Sequence, residues 1–184
     1  NTPGANANAV VELVYTSLGI WLRNVEKSID FCQKLAGMND EEINREVEAR
    51  KKKFKGEEMA GKTMAVFGLG KIGVGVANAA LHHGMRVLGF DPFAKNLPDF
   101  VQAADLETIW RESDAISLHC PLTDDNRDLL DADTLARCKK GVIVVNTARG
   151  GLIDEAALLA AVHSGQVRMA GLDSFAVEPM AAGH

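Results

Sequence analysis

The stretch Gly68-Leu69-Gly70-Lys71-Ile72-Gly73 has the residue types and spacing to hold a phosphate. This GxGxxG loop directly follows an apolar run, TMAVF, and opens a helical pattern. In that setting Gly68 permits a tight turn, Gly70 lets the backbone approach a pyrophosphate, and Gly73 lets a helix pack closely on a strand. The amides of the helix's first turn, where Lys71 and Ile72 stand, would face the phosphate charge. Eighteen residues past Gly73, Asp91 ends the next apolar run, where an acid meets the adenosine ribose of a dinucleotide. A carboxylate there accepts from ribose hydroxyls and repels a 2′-phosphate, so the expected cofactor is NAD rather than NADP. Hydrogen bonds to a charged group contribute about 1.5–3 kcal/mol, enough for a clear preference. The alternative is a glycine turn of purely structural use.

Other chemically capable residues fall at corresponding places. His119-Cys120-Pro121 follow one apolar run, Asn146-Thr147-Ala148-Arg149-Gly150-Gly151 follow another, and Asp173 with Glu178-Pro179 follow a third. In a doubly wound sheet, ligands bind outside the carboxyl ends of the strands, so these groups would converge on one crevice.

The elements that must position them are legible from residue 61 onward. Expected strands are TMAVFG (63–68), MRVLGFD (85–91), VQAA (101–104), AISLHC (115–120), VIVVNTA (142–148) and RMAGLDSF (168–175). Expected helices lie around 71–83, 105–113, 131–139 and 154–164. Apolar strands alternating with helices mean βαβ units and a parallel sheet buried on both faces. The fold class is therefore α/β, a doubly wound parallel sheet of Rossmann type, with a helical N-terminal arm. In that arm a helix begins near Ala7, with apolar residues on more than one face. A second helix begins at Asn39-Asp40-Glu41-Glu42, an N-cap followed by acids. It carries Glu46/Arg50 and Glu48/Lys52 at i,i+4 spacing. The basic cluster Arg50-Lys51-Lys52-Lys53 with Lys55 reads as a solvated helix end suited to the helix dipole, with a phosphate patch as the alternative.

Composition bounds the rest. The 184 residues are 47% hydrophobic and 24% charged, an ordinary globular balance for one domain. A net charge of −5 argues against a nucleic-acid partner. Three scattered cysteines, Cys32, Cys120 and Cys138, form no CxxC motif, so no metal site and a reducing compartment are expected. The longest apolar stretch, VVELVYTSLGIWL, is broken by Glu12 and is too short to span a membrane. No signal peptide is visible, and a cytoplasmic location is expected. The chain begins at Asn1 rather than Met, so a piece of a longer protein is expected.

The motifs GKTMAVFGLGKIG, FDPF, LHCPLT, CKKGVIVVNTARGGLIDEAALLAAVHSGQ and GLDSFAVEP resemble the D-2-hydroxyacid dehydrogenase family, above all its D-3-phosphoglycerate dehydrogenase members. NTPGANANAVVEL is similar to the segment with which that family enters its nucleotide domain. The resemblance is weakest over about 20–58. It implies hydride transfer between NAD and a small 2-hydroxy or 2-oxo acid, and a place in serine biosynthesis. By resemblance Arg149 holds the substrate carboxylate and polarises the neighbouring oxygen, and Glu178 is the acid paired to a catalytic histidine. Asp173 meets the nicotinamide carboxamide, and His119, Cys120 and Pro121 line the nicotinamide ribose, with Thr147 and Ala148 also on the cofactor side.

The family's catalytic histidine lies beyond residue 184, and so does part of the substrate domain. His184 is close in sequence to Glu178 and falls in an irregular tail; His82, His83 and His163 read as helix residues. The expected division is one dinucleotide-binding domain over 1–184, with a helical arm over 1–60, a core over 61–179 and a tail over 180–184. This piece alone is expected to bind NAD without turnover. The resemblance also implies a homodimer or higher homo-oligomer through the N-terminal helices, which could instead cover the domain's own sheet. Two alternatives stay open: a hydroxypyruvate or glyoxylate reductase of the same family, and a dinucleotide-sensing binding protein like the family's corepressors.

Overall fold

A computed structural model describes residues 5–179. Strands β1 (Thr63–Phe67), β2 (Arg86–Phe90), β3 (Gln102–Ala103), β4 (Ala115–Leu118), β5 (Val142–Asn146) and β6 (Val167–Leu172) form one sheet. Its order is β3-β2-β1-β4-β5-β6, and every neighbouring pair is parallel. The chain thus winds outward in two directions from the β1–β4 pair, and a crevice opens where the order reverses. Among the described residues the helices are α1 (Ala7–Leu22), α2 (Val25–Lys34), α3 (Asp40–Arg50), α4 (Lys71–His82), α5 (Leu106–Glu112), α6 (Ala132–Arg137) and α7 (Glu155–Ser164).

β1, β4 and β5 are buried at every position, which explains their unbroken apolar character. Alternate residues of β1 feed two different cores. Ala65 and Phe67 pack with Ile109, Trp110, Leu135 and Leu158 from α5, α6 and α7. Met64 and Val66 pack with Val76, Ala77 and Ala80 of α4 and with Val14 and Leu18 of α1. Of the two uses open to α1, the structure therefore shows that it covers the domain's own sheet. Tyr15 Oη donates to the Val76 carbonyl at 2.7 Å, and the Trp21 ring lies so close to Gly171 that a Cβ there would come within 2.6 Å.

Asn39 caps α3 as expected, with a reciprocal capping box to Glu42, and Arg50 pairs with Glu46 at 2.9 Å. The Glu48/Lys52 pair does not form. The chain tightens into a 3-10 turn over Lys51–Phe54, and Glu48 pairs with Lys51 instead. Helix α2 was not expected from the sequence. It follows Asn24, whose backbone is left-handed (φ 53°) and whose side chain donates to the Lys55 carbonyl rather than capping the helix. Neither α2 nor α3 has a fully buried residue. Phe31 of α2 meets Phe54 of the 3-10 turn after α3, at 4.9 Å between ring centroids.

The strands end sooner than their apolar runs suggest. Asp91, His119, Cys120, Thr147, Ala148 and Asp173 all lie just past a strand end. Single main-chain bonds extend the ladder there: His119 N–H donates to Phe67 at 2.7 Å, and Asp173 N–H donates to Asn146 at 2.9 Å.

Candidate functional site

The glycine loop has the geometry its three glycines suggest. Gly68 has φ +82°, and a Cβ on it would lie 2.7 Å from the Cys120 amide nitrogen, so the β1 and β4 ends close on each other here. A Cβ on Gly73 would come 1.8 Å from the Gly68 carbonyl oxygen, so α4 begins hard against the turn. Gly70 differs: nothing lies within 4 Å of its Cβ position, and its backbone is extended. Space is therefore kept at the glycine expected to meet a ligand. Gly70 caps α4 without a side-chain hydrogen bond, which leaves the first-turn amides to a phosphate. Lys71 is exposed at that turn and Ile72 packs against the core.

Asp91 is more heavily engaged than its expected ribose role requires. One carboxylate oxygen accepts the Leu69 N–H at 2.8 Å, and the other accepts those of Phe93 (3.0 Å) and Ala94 (3.2 Å). A carboxylate offers about four acceptor positions, so roughly one remains for a hydroxyl. Gly68, Asp91, Cys120 and Pro121 line a cavity of about 390 Å³, with Phe67 and Phe90 at its apolar base. Its size and mixed lining fit a nucleoside. Burial pushes the Cys120 thiol upward; a backbone hydrogen bond of its own opposes this, and the nearby Asp91 charge adds a smaller upward push.

Thr147 and Asp173 line a second cavity of about 120 Å³ at the ends of β5 and β6, with Leu13 and Ser17 of α1 on its far side. His119 reaches this cavity's lining through Thr147. Its Nδ1 lies 3.3 Å from Thr147 Oγ1 and its Nε2 lies 2.8 Å from Ser117 Oγ. Burial pushes the imidazole down to about 4, so it is neutral at physiological pH.

The Arg149 loop rests on Asn146, which the sequence places at the end of an apolar run without giving it a role. Asn146, almost wholly buried, donates through Nδ2 to the Arg149 carbonyl at 2.8 Å and accepts the Ala148 N–H at 3.0 Å. An asparagine ending the apolar run VIVV was the available signal, since a buried amide must be satisfied by fixed partners. The Arg149 guanidinium folds back on the Ala148 carbonyl at 2.6 Å. Gly150 presses on the loop that bears Glu178: a Cβ there would come 1.9 Å from the Phe175 carbonyl carbon. Glu178 is exposed and accepts the Phe175 N–H at 2.9 Å, with no histidine against it among the described residues. His184 and the tail lie outside the described residues.

The expected residues thus gather at the glycine loop and the start of α4, at the cavity beside Asp91, at the Thr147–Asp173 cavity, and on the Arg149 and Glu178 loops. A shallow depression of about 480 Å³ on α2, lined by Arg23, Val25 and Ile29, holds none of them. No helix among the described residues is long and apolar enough to cross a membrane, and no cluster of three metal-ligating side chains is present among them.

A family model described as D-isomer specific 2-hydroxyacid dehydrogenase, NAD binding domain, matches residues 27–184. Hydroxypyruvate reductase from Thermotoga maritima is 43% identical over 97% of this chain and 55% of its own length. Human D-3-phosphoglycerate dehydrogenase is 41% identical over 97% of this chain and 32% of its own length. The chain thus spans between about a third and about a half of these relatives. The D-lactate dehydrogenase of Aquifex aeolicus, solved with NAD and lactic acid, superposes with a TM-score of 0.79 at 28% identity, covering 92% of this chain and 48% of that one. The chain belongs to the D-isomer specific 2-hydroxyacid dehydrogenase family, whose NAD-binding domain it forms.

Proposed function

We propose that the full-length protein is an NAD-dependent dehydrogenase that oxidises a D-2-hydroxy acid, with 3-phosphoglycerate as the substrate. The observation that carries this reading is the placement of Arg149. It follows Thr147 and Ala148 directly on a loop anchored by the buried Asn146, beside the cavity that Thr147 shares with Asp173. A planar guanidinium there can hold a carboxylate bidentately and draw charge from the adjacent oxygen. NAD, when bound, supplies the hydride acceptor. Gly68, Gly70 and Gly73, with the first-turn amides at Lys71 and Ile72, bind the pyrophosphate. Asp91 takes a ribose hydroxyl, Cys120 and Pro121 wall the nucleoside, and His119, Thr147, Ala148 and Asp173 serve the nicotinamide end. Glu178 orients a histidine that arrives from outside this chain.

On this reading residues 1–184 form one dinucleotide-binding domain, with a helical arm over 1–60 and a core over 61–179. Two such domains pair through the arm, because α2 presents Val25 and Ile29, 38% and 52% exposed, on one side. A hydroxypyruvate reductase is the second reading, favoured by the 43% identity to the Thermotoga protein. The test is substrate-dependent NADH formation by the full-length protein. NAD binding without turnover of any 2-hydroxy acid would favour a dinucleotide-sensing binding protein instead.

A further inference from the structure

Ser117 is wholly buried in the central strand β4, and its hydroxyl has one partner among the described residues, His119 Nε2 at 2.8 Å. The other imidazole nitrogen, Nδ1, meets Thr147 Oγ1 at 3.3 Å. A neutral imidazole donates from one nitrogen and accepts at the other, so the three groups can point in only two ways. If Nε2 carried the proton, Ser117 would accept it, and the serine's own hydrogen would be left in the core without an acceptor. A donor buried without an acceptor loses its water partners and gains nothing in return. The opposite direction satisfies every group: Ser117 O–H donates to Nε2, and Nδ1–H donates to Thr147 Oγ1. The Thr147 oxygen is then taken as acceptor, and its own hydrogen is free to turn into the small cavity that it lines with Asp173.

We propose that Ser117 and His119 are positioning residues that set the Thr147 hydroxyl as a fixed donor toward an oxygen acceptor on the nicotinamide half of the cofactor. The proposal rests on the NAD reading of the site and adds a direction to it. Thr147 then complements Asp173, whose carboxylate can only accept, so the cavity offers one donor and one acceptor side by side. Such a pair matches a group with both an oxygen acceptor and N–H donors, as a primary carboxamide has. Burial keeps the imidazole neutral, which the relay requires.

Nitrogen NMR of the imidazole, with calorimetry of NAD and ADP-ribose on the full-length protein, tests this. The expected proton position is Nδ1 in the wild type; a proton on Nε2 overturns the proposal. Thr147→Val keeps the shape and removes the hydroxyl. It should weaken NAD about 3- to 10-fold, the worth of one hydrogen bond, and leave ADP-ribose, which lacks nicotinamide, within about 2-fold. Ser117→Ala should act in the same direction, and the Ser117→Ala/Thr147→Val pair should be no weaker than Thr147→Val alone. Additive losses, or equal losses for both ligands, overturn the relay, while unchanged ADP-ribose binding shows that the variants are folded. Failure of ADP-ribose to bind the wild type overturns the cofactor reading itself, so the two failures are told apart.

Discussion

The carboxylate of Asp91 accepts the Leu69 N–H at 2.8 Å, which ties the end of β2 to the glycine loop at the end of β1. The residue expected to meet the ribose thus also shapes the loop expected to meet the pyrophosphate. On the proposed reading, cofactor preference and loop order are coupled through one side chain.

Asp91→Asn puts an NH₂ where one oxygen now accepts a main-chain N–H. Stability should fall by about 1–3 kcal/mol as a donor loses its partner. NAD should bind more weakly, and the discrimination against NADP should narrow at least about 10-fold, as a lost charge of this kind is worth more than 1.4 kcal/mol. Denaturant titration with calorimetry of both cofactors checks it; unchanged discrimination would rule out the ribose assignment.

The glycine loop offers a matched pair. Gly73→Ala drives a methyl into the Gly68 carbonyl and should destabilise the fold by about 1–3 kcal/mol. Gly70→Ala meets no protein atom within 4 Å, so its melting temperature should hold while NAD affinity drops. If Gly70→Ala bound NAD like the wild type, the phosphate would not approach that backbone.

His119 gives a pH signature. Its pKa falls from 6.5 in the unfolded chain to about 4 in the fold through burial, so the unfolded state binds the extra proton between those values. Its contribution is present in full above pH 6.5 and shrinks as pH falls toward 4, by on the order of 3 kcal/mol in all. The carboxylates whose pKa is lowered, Glu57, Asp105, Glu112 and Asp131, act only as pH drops through their ordinary values of 4.5 and 3.8 and below. Between pH 5 and 6.5 the slope of unfolding free energy should therefore flatten in His119→Phe, as measured by urea titration at each pH.

The arm makes a separate claim. Ile29→Glu places a charge on the exposed face of α2 and should shift the protein from dimer toward monomer in light scattering, with NAD affinity unchanged. A wild type that is monomeric at micromolar concentration contradicts pairing through this face.

Much of this was readable in the sequence because the cues are local. The TMAVF and VIVV runs announce strands buried on both faces, and Asn39 with Glu42 announces a cap that forms as expected. Gly68, Gly70 and Gly73 sit on six consecutive residues whose geometry is set by backbone crowding alone. Helix α2 escaped notice because Asn24 gives it no side-chain cap; Val25, Ile29 and Cys32, at i, i+4 and i+7, were the remaining cue. Asn146 was visible as a polar end to an apolar strand, but its two main-chain partners depend on how the Arg149 loop turns back. The contact between His119 and Thr147 spans 28 residues and arises only because β4 and β5 are neighbours. Sheet order places such pairs, and no local pattern encodes it.

The central claim is that this domain serves oxidation of a D-2-hydroxy acid by NAD, with Arg149 holding the substrate carboxylate. The most direct measurement is NADH formation by the full-length protein with 3-phosphoglycerate, glycerate and lactate, repeated for Arg149→Lys. The account predicts NADH production with at least one of these acids, most with 3-phosphoglycerate. It also predicts a drop in kcat/KM of about 100-fold in the variant, from loss of the two-pronged contact, with NAD affinity held within about 2-fold. NAD binding with no NADH from any of the acids, or full activity in Arg149→Lys, would contradict it.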